Sequence, residues 1–112
     1  MTLIEIFSII LIHWFADFVL QTDWQAKNKS KRNDALLLHT LTYSSTWIIP
    51  AGLVLDLNGY LFFLITFVAH TITDYFTSRL NTKLWNKGDV HNFFVSVGFD
   101  QVLHYVQLFT TY

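Results

Sequence analysis

The sequence predicts an all-α fold of four transmembrane helices, forming one domain over residues 1–112. Three observations predict it. The chain is 53% hydrophobic and only 13% charged, against roughly 25% charged in an ordinary soluble domain. Four long apolar stretches stand out, at about 2–21, 36–56, 59–77 and 92–112. All seven Lys and Arg residues lie in two of the three connections between them.

Each stretch approaches the roughly 20 residues that cross a bilayer as a helix. The first resembles a secretory signal only in length. No basic residue precedes its apolar run, His13 and Asp17 interrupt it, and the polar, bulky Gln21-Thr22-Asp23-Trp24 offers no small-residue cleavage site. It is read as a retained helix. The connection at 23–35 holds Lys27, Lys29, Lys31 and Arg32, and the one at 78–91 holds Arg79, Lys83 and Lys87. The turn at Asp56-Leu57-Asn58-Gly59 and both termini hold none. The positive-inside rule then puts the basic loops in the cytoplasm and both termini outside a bacterial inner membrane. Trp24 and Trp85 beside the basic loops, with Tyr60 and Tyr112 at the opposite ends, match an interfacial aromatic belt. His13-x3-Asp17 and His70-x3-Asp74 hint that the four helices form two repeated hairpins.

Composition also excludes classes of function. Without cysteine there is neither a disulfide scaffold nor a thiolate metal site. A net charge of -1 argues against nucleic acid as a partner. One Glu is too few for a carboxylate-bridged di-iron bundle.

The informative residues are the ionisable ones inside the apolar stretches: His13, Asp17, His39, His70, Asp74, Asp100 and His104. An Asp at the centre of a membrane helix costs roughly 2.5–3.5 kcal/mol, so three require a compensating purpose. His13/Asp17, His70/Asp74 and Asp100/His104 are each spaced i,i+4, which sets an imidazole and a carboxylate on one helix face. With a rise of about 1.5 Å per residue, all but His104 fall in the cytoplasmic half of their spans. Imidazole nitrogen and carboxylate oxygen are ligands that divalent metals accept. His13, Asp17, His39, His70, Asp74 and His104 are therefore read as metal ligands, with Asp100 as the catalytic base. Gln21 and Gln101 are read as hydrogen-bond partners that orient those groups. The expected cofactor is one or two divalent ions, zinc first, manganese or iron next. Glu5 has no assigned role, and the Lys27–Arg32 run reads as a topology signal.

The pattern His13-x3-Asp17-Phe18-x-Leu20-Gln21, Leu38-His39, His70-x3-Asp74 and Asp100-Gln101-x2-His104 resembles a group of small four-pass phage and bacterial proteins of unknown function. That group is similar in layout to proteins labelled membrane-bound metal-dependent hydrolases. The resemblance spans nearly the whole chain and implies a membrane location and a metal centre.

The leading expectation is thus a membrane-embedded metal-dependent hydrolase, acting from the cytoplasmic leaflet on a lipid-like or headgroup-bearing phosphoester, ester or amide. The absence of a G-x-S-x-G elbow and of cysteine favours attack by an activated water. A metal-ion or proton transporter, a haem-binding bundle, and a phage-type effector that binds a host membrane protein are the alternatives. Expected partners are the lipid bilayer, the lipid-like substrate, and a second copy of the chain that closes the site as a homodimer.

Overall fold

The computed structural model describes Met1–Tyr112 as six α-helices and one π-helical turn. Thr2 starts the chain with a capping box: it accepts from the Glu5 N–H while the Thr2 N–H donates to Glu5 Oε2. Helix α1 runs Leu3–Trp14 and then widens into a π turn, Phe15–Val19, closed by an i→i+5 bond from Leu20 N–H to Phe15 O at 3.0 Å. Such turns are rare and concentrate at functional sites. This one buries Ala16 and Asp17 and packs against α3.

A second capping box, Thr22 with Gln25, opens the short helix α2, Asp23–Asn28. Helix α3, Asn33–Ser45, is followed by a turn through Thr46 and Trp47 and the short α4, Ile48–Leu53. Pro50 lies in the first turn of α4, where its missing N–H breaks no helical bond. Asn58 caps the long helix α5, Gly59–Asn86, by accepting from Tyr60 and Leu61 N–H. Helix α5 ends in a Schellman motif: Gly88 adopts φ 74°, its N–H donates to Trp85 O, and Asp89 N–H donates to Leu84 O. Asp89 then caps α6, Val90–Thr111. Helix α5 is the mast of the bundle, with α3, α4 and α6 packed against it.

The helical class is as expected, but four transmembrane helices are not what the structure supports. Only α5 is both long and apolar enough to cross a membrane, and 28% of its most apolar stretch is buried within the protein. Helix α1 has 12 residues with 5 more in its π turn, and α3 has 13, short of the roughly 20 needed. Both are cut where the backbone turns, at Leu20–Gln21 and at Thr46–Trp47. Helix α6 has 22 residues, but His91, Asn92, Asp100, Gln101, His104 and Gln107 make it too polar. Placement in a bacterial inner membrane, with termini outside and basic loops in the cytoplasm, loses its ground with the spans. The two halves also differ as hairpins: the first is broken into four α-helices and a π turn, the second is two unbroken helices.

The interior explains the misreading. Of 22 buried residues, 12 are polar or charged, so the centre is built around polar groups and much of the apolar content lies outside. Phe7, Leu11, Phe76 and Phe94 are each more than half exposed. The apolar core proper joins Ile9, Tyr43, Trp47, Phe62 and Leu108, with Trp47 and Phe62 rings 5.3 Å apart.

One glycine is dictated by close approach. A Cβ on Gly59 would run into the backbone carbonyl of Ile48. Gly59→Ala is therefore expected to lose about 1–3 kcal/mol, as overpacking does. Gly98, exposed on α6 with open space around it, is expected to gain about 0.5–1 kcal/mol on conversion to Ala. Urea denaturation of both variants checks the contrast.

Candidate metal centre

Buried side chains recur every fourth residue along the inner faces: Phe62, Thr66, His70, Asp74 and Ser78 on α5, and Asp100, His104 and Leu108 on α6. Residues four apart form a ridge on a helix surface, and these ridges face one another. Helix α3 adds His39 and Tyr43, and the π turn adds Asp17. All seven ionisable residues singled out in the sequence are buried. Asp is almost never fully buried unless paired, and three lie here together.

At the centre, His39 Nε2 stands 3.1 Å from both Asp17 Oδ1 and Asp74 Oδ2. His70 Nε2 stands 3.5 Å from Asp17 Oδ1, 3.4 Å from Asp74 Oδ2 and 3.4 Å from His39 Nε2. Four atoms bound at about 2.0–2.1 Å around one tetrahedral zinc would be about 3.3 Å apart. Five of the six edges of this quartet thus match that spacing. Each of the four residues offers one ligand atom within 4.8 Å of the other three. Asp17 Oδ1 finds no hydrogen-bond donor of acceptable geometry although two ring nitrogens lie near it. His39 and His70 Nε2 reach each other and Lys29 reaches Asp74 Oδ2, so of the four atoms only Asp17 Oδ1 is left unpaired, and all four surround a shared point. These buried Asp and His groups can hold a metal ion.

The quartet extends toward α6. His104 Nε2 lies 3.2 Å from both Asp74 Oδ1 and Asp100 Oδ2. Asp74 therefore turns one oxygen to the quartet and the other to His104. Asp17, Asp100 and His104 form a second group whose ligand atoms lie within 4.8 Å of one another.

His13 is set apart from the other six. Its Nε2 is 3.8 Å from Asp17 Oδ2 and 2.7 Å from Gln101 Oε1, while Nδ1 is 2.7 Å from the Tyr43 hydroxyl. Gln101 Nε2 donates to Asp100 Oδ2 at 3.2 Å, which leaves its Oε1 as acceptor. The neutral tautomer follows: His13 Nε2–H donates to Gln101, and Tyr43 O–H donates to His13 Nδ1. Burial pushes the His13 pKa down and keeps it neutral, and it pushes the Tyr43 phenol well up, with Asp17 adding to the rise. The result is a chain from Tyr43 through His13 and Gln101 to Asp100.

Electrostatics in the cluster favour the ionised carboxylates. Burial alone would raise Asp17, but contacts from His39 and His70 outweigh it and hold Asp17 low. Burial likewise opposes the charge on Asp74, which His70 and Lys29 nevertheless hold well below the usual carboxylate range. His104 is opposed by burial yet lifted to about 10 by Asp100 and Asp74, and His39 is raised over the same opposition by Asp17 and Asp74.

Two participants escape sequence reasoning. Lys29, at the C-terminal cap of α2, places Nζ 3.2 Å from Asp74 Oδ2 with only 19% of its side chain exposed. Its sequence reading as part of a topology signal gives no hint of this, because its partner lies 45 residues away. Tyr43 stacks on His70 with centroids 3.8 Å apart. Its i,i+4 spacing from His39 is the only available signal. Gln21 lies at the edge of the cluster, its Oε1 buried and without a partner.

A cavity of about 710 Å³ opens onto the cluster, with Asp17, Asp100, Gln101 and Gln21 among its lining residues. Lys27, Lys29 and Lys31 line it on the α2 side, and Trp85, Phe93 and Phe94 on the side of α5 and α6.

A protein-family model described as "Protein of unknown function (DUF3307)" matches residues 6–112. No curated protein and no solved structure matches the chain.

Proposed function

We propose, for a chain that belongs to the DUF3307 family of proteins of unknown function, a metal-dependent hydrolase whose centre is built on Asp17, His39, His70 and Asp74. The observation that carries this reading is the quartet's spacing, 3.1–3.5 Å on five edges, with Asp17 as the member that lines the neighbouring cavity. Two imidazoles and two carboxylates at tetrahedral spacing suit zinc best. Four protein ligands would fill a tetrahedral shell, so a divalent ion held there would supply Lewis acidity, and a water of pKa near 7 only by taking a fifth ligand or releasing one carboxylate.

The remaining work belongs to the protein's own groups. Asp100 lines the cavity, and its Oδ1 is buried without a hydrogen-bond partner, a position from which it takes a proton from an entering water. The Tyr43–His13–Gln101 chain holds the other oxygen, Oδ2, in place. His104, between Asp74 and Asp100, fixes the distance between the ion-holding and proton-accepting carboxylates. The close mutual approach of the His39 and His70 nitrogens, 3.4 Å, leaves no room for a haem plane between them.

Chelation is expected to abolish turnover of p-nitrophenyl phosphate or carboxylate esters, and stoichiometric zinc to restore it. Asp100→Asn is expected to keep its metal while kcat falls about 10²–10⁴-fold, the usual contribution of a general base. Undiminished turnover by a metal-free preparation, or by Asp100→Asn, would overturn the assignment.

A further inference from the structure

We infer that the cavity over the Asp/His cluster binds a phosphate ester whose organic part carries hydroxyl groups and an apolar body; this deepens the hydrolase reading and rests on it. Three features of the cavity point there, each drawn from a different part of its wall.

The first is charge. Three of the protein's seven basic residues, Lys27, Lys29 and Lys31, line this one cavity. Lys27 and Lys31 are exposed at the rim, whereas Lys29 reaches inward to Asp74. A partly desolvated ammonium beside a reaction centre acts most strongly on an anion, and on the charge that an anion develops in its transition state. A neutral ester or amide would give three lysines nothing to bind. Phosphate oxygens give Lys29 a second partner beside Asp74, and the rim lysines supply a field that draws the anion in.

The second feature is a set of buried polar atoms without partners. Gln21 Oε1, Ser78 Oγ and Asn81 Oδ1 are all buried and unpaired, and all three residues line the cavity. An unpaired buried polar atom costs about 1–3 kcal/mol, and a ligand in the cavity relieves that cost when these side chains turn to face it. Two are amide oxygens that require donors. Phosphate oxygens cannot donate to them; hydroxyl groups on the organic part can.

The third is the far wall. The Trp85 and Phe93 rings meet edge to face at 5.0 Å, and Phe94 and Val97 extend the apolar surface. That surface offers a stacking platform or a trough for a chain. The volume of about 710 Å³ falls within the roughly 300–1,000 Å³ of ordinary small-molecule sites. Phosphate, hydroxyls and an apolar body occur together in two sources, a nucleoside monophosphate and a hydroxylated phospholipid headgroup with its chains.

The test uses zinc-loaded full-length protein and three probes: inorganic phosphate, adenosine monophosphate and dihexanoyl phosphatidylglycerol. Titration calorimetry is expected to show both esters binding more tightly than inorganic phosphate. Lys29→Gln is expected to weaken all three about tenfold or more per zinc-loaded molecule, the loss of one charge-assisted hydrogen bond. The rim pair Lys27→Gln with Lys31→Gln, both exposed and remote from the core, is expected to weaken binding and flatten its salt dependence even if Lys29→Gln folds poorly. Trp85→Phe is expected to weaken the preferred ester and leave inorganic phosphate unaffected, and the preferred ester identifies the source. Equal binding by wild type and the rim pair, or no binding of any probe, would overturn the inference. If p-nitrophenyl butyrate is still turned over in a zinc-dependent way, the hydrolase reading survives that failure. Phosphate binding without zinc-dependent turnover of any ester would do the reverse.

Discussion

His70→Ala is expected to bind zinc far more weakly than the wild type, as read by elemental analysis of zinc-loaded protein after gel filtration. His70 Nε2 contributes three of the five short edges of the quartet, and the nearest imidazole, His104 stacked on it at 4.1 Å, has its Nε2 held between Asp74 and Asp100. Structural zinc sites bind with about 10–16 kcal/mol. Removing one of four ligands then costs about 3 kcal/mol, or a hundredfold and more in affinity. His39→Ala should behave alike, since His39 Nε2 stands 3.1 Å from both carboxylates. His13→Ala should not. Both of its nitrogens are engaged with Tyr43 and Gln101, so its loss should lower turnover through Asp100 while zinc stays bound. Circular dichroism separates metal loss from unfolding, because Tyr43 stacks on His70. Wild-type zinc occupancy retained in both His70→Ala and His39→Ala would sink the centre as drawn.

Much of this cluster is legible in the chain's residue spacing, because an i,i+4 relation is a local property. His70/Asp74 and Asp100/His104 have to share a helix face, and they do. What spacing cannot show is which ring nitrogens converge and which are tied up elsewhere. His13/Asp17 has the same spacing, yet the π turn that begins at Phe15 intervenes, and His13 turns to Gln101 instead. Lys29 is invisible for another reason: a lysine in a basic loop looks alike whether it points to water or folds back over a carboxylate. The helical class is legible from apolar content, but the lengths are not. Hydropathy reads 2–21 and 36–56 as unbroken, whereas the backbone turns at Leu20–Gln21 and again at Thr46–Trp47. In the opposite sense, α5 continues to Asn86, past the apolar stretch ending near 77, because its last turns are stabilised by packing and by the Gly88 cap rather than by hydrophobicity.

Asp74→Ala is expected to bring the metal-free protein close to unfolding. Asp74 faces Lys29 from α2, His39 from α3, His70 on its own helix and His104 from α6. Its removal leaves a partly buried ammonium and a cluster of imidazoles without their shared counter-charge, with Asp17 and Asp100 alone to answer them. Breaking one buried ion pair costs about 3–5 kcal/mol, against a total stability of about 5–15 kcal/mol for a domain. The pH dependence provides the signature that distinguishes this from simple cavity formation. Asp74 and Asp17 are held below the ordinary carboxylate value, so their stabilisation is complete above about pH 4 and is lost as pH falls through the depressed values. His104 is raised to about 10, so its contribution is complete below its ordinary pKa of about 6.5 and is lost as pH rises toward 10. His13, held neutral by burial, loses stability as pH falls below about 6.5, so metal-free wild type should be most stable near pH 6.5, declining on either side. In Asp74→Ala the alkaline decline should shrink, because His104 then keeps only Asp100 as a close partner. Urea midpoints in chelator at pH 3, 5.5 and 9 measure both effects, and a variant that matches wild type at all three would show that Asp74 does not organise the cluster.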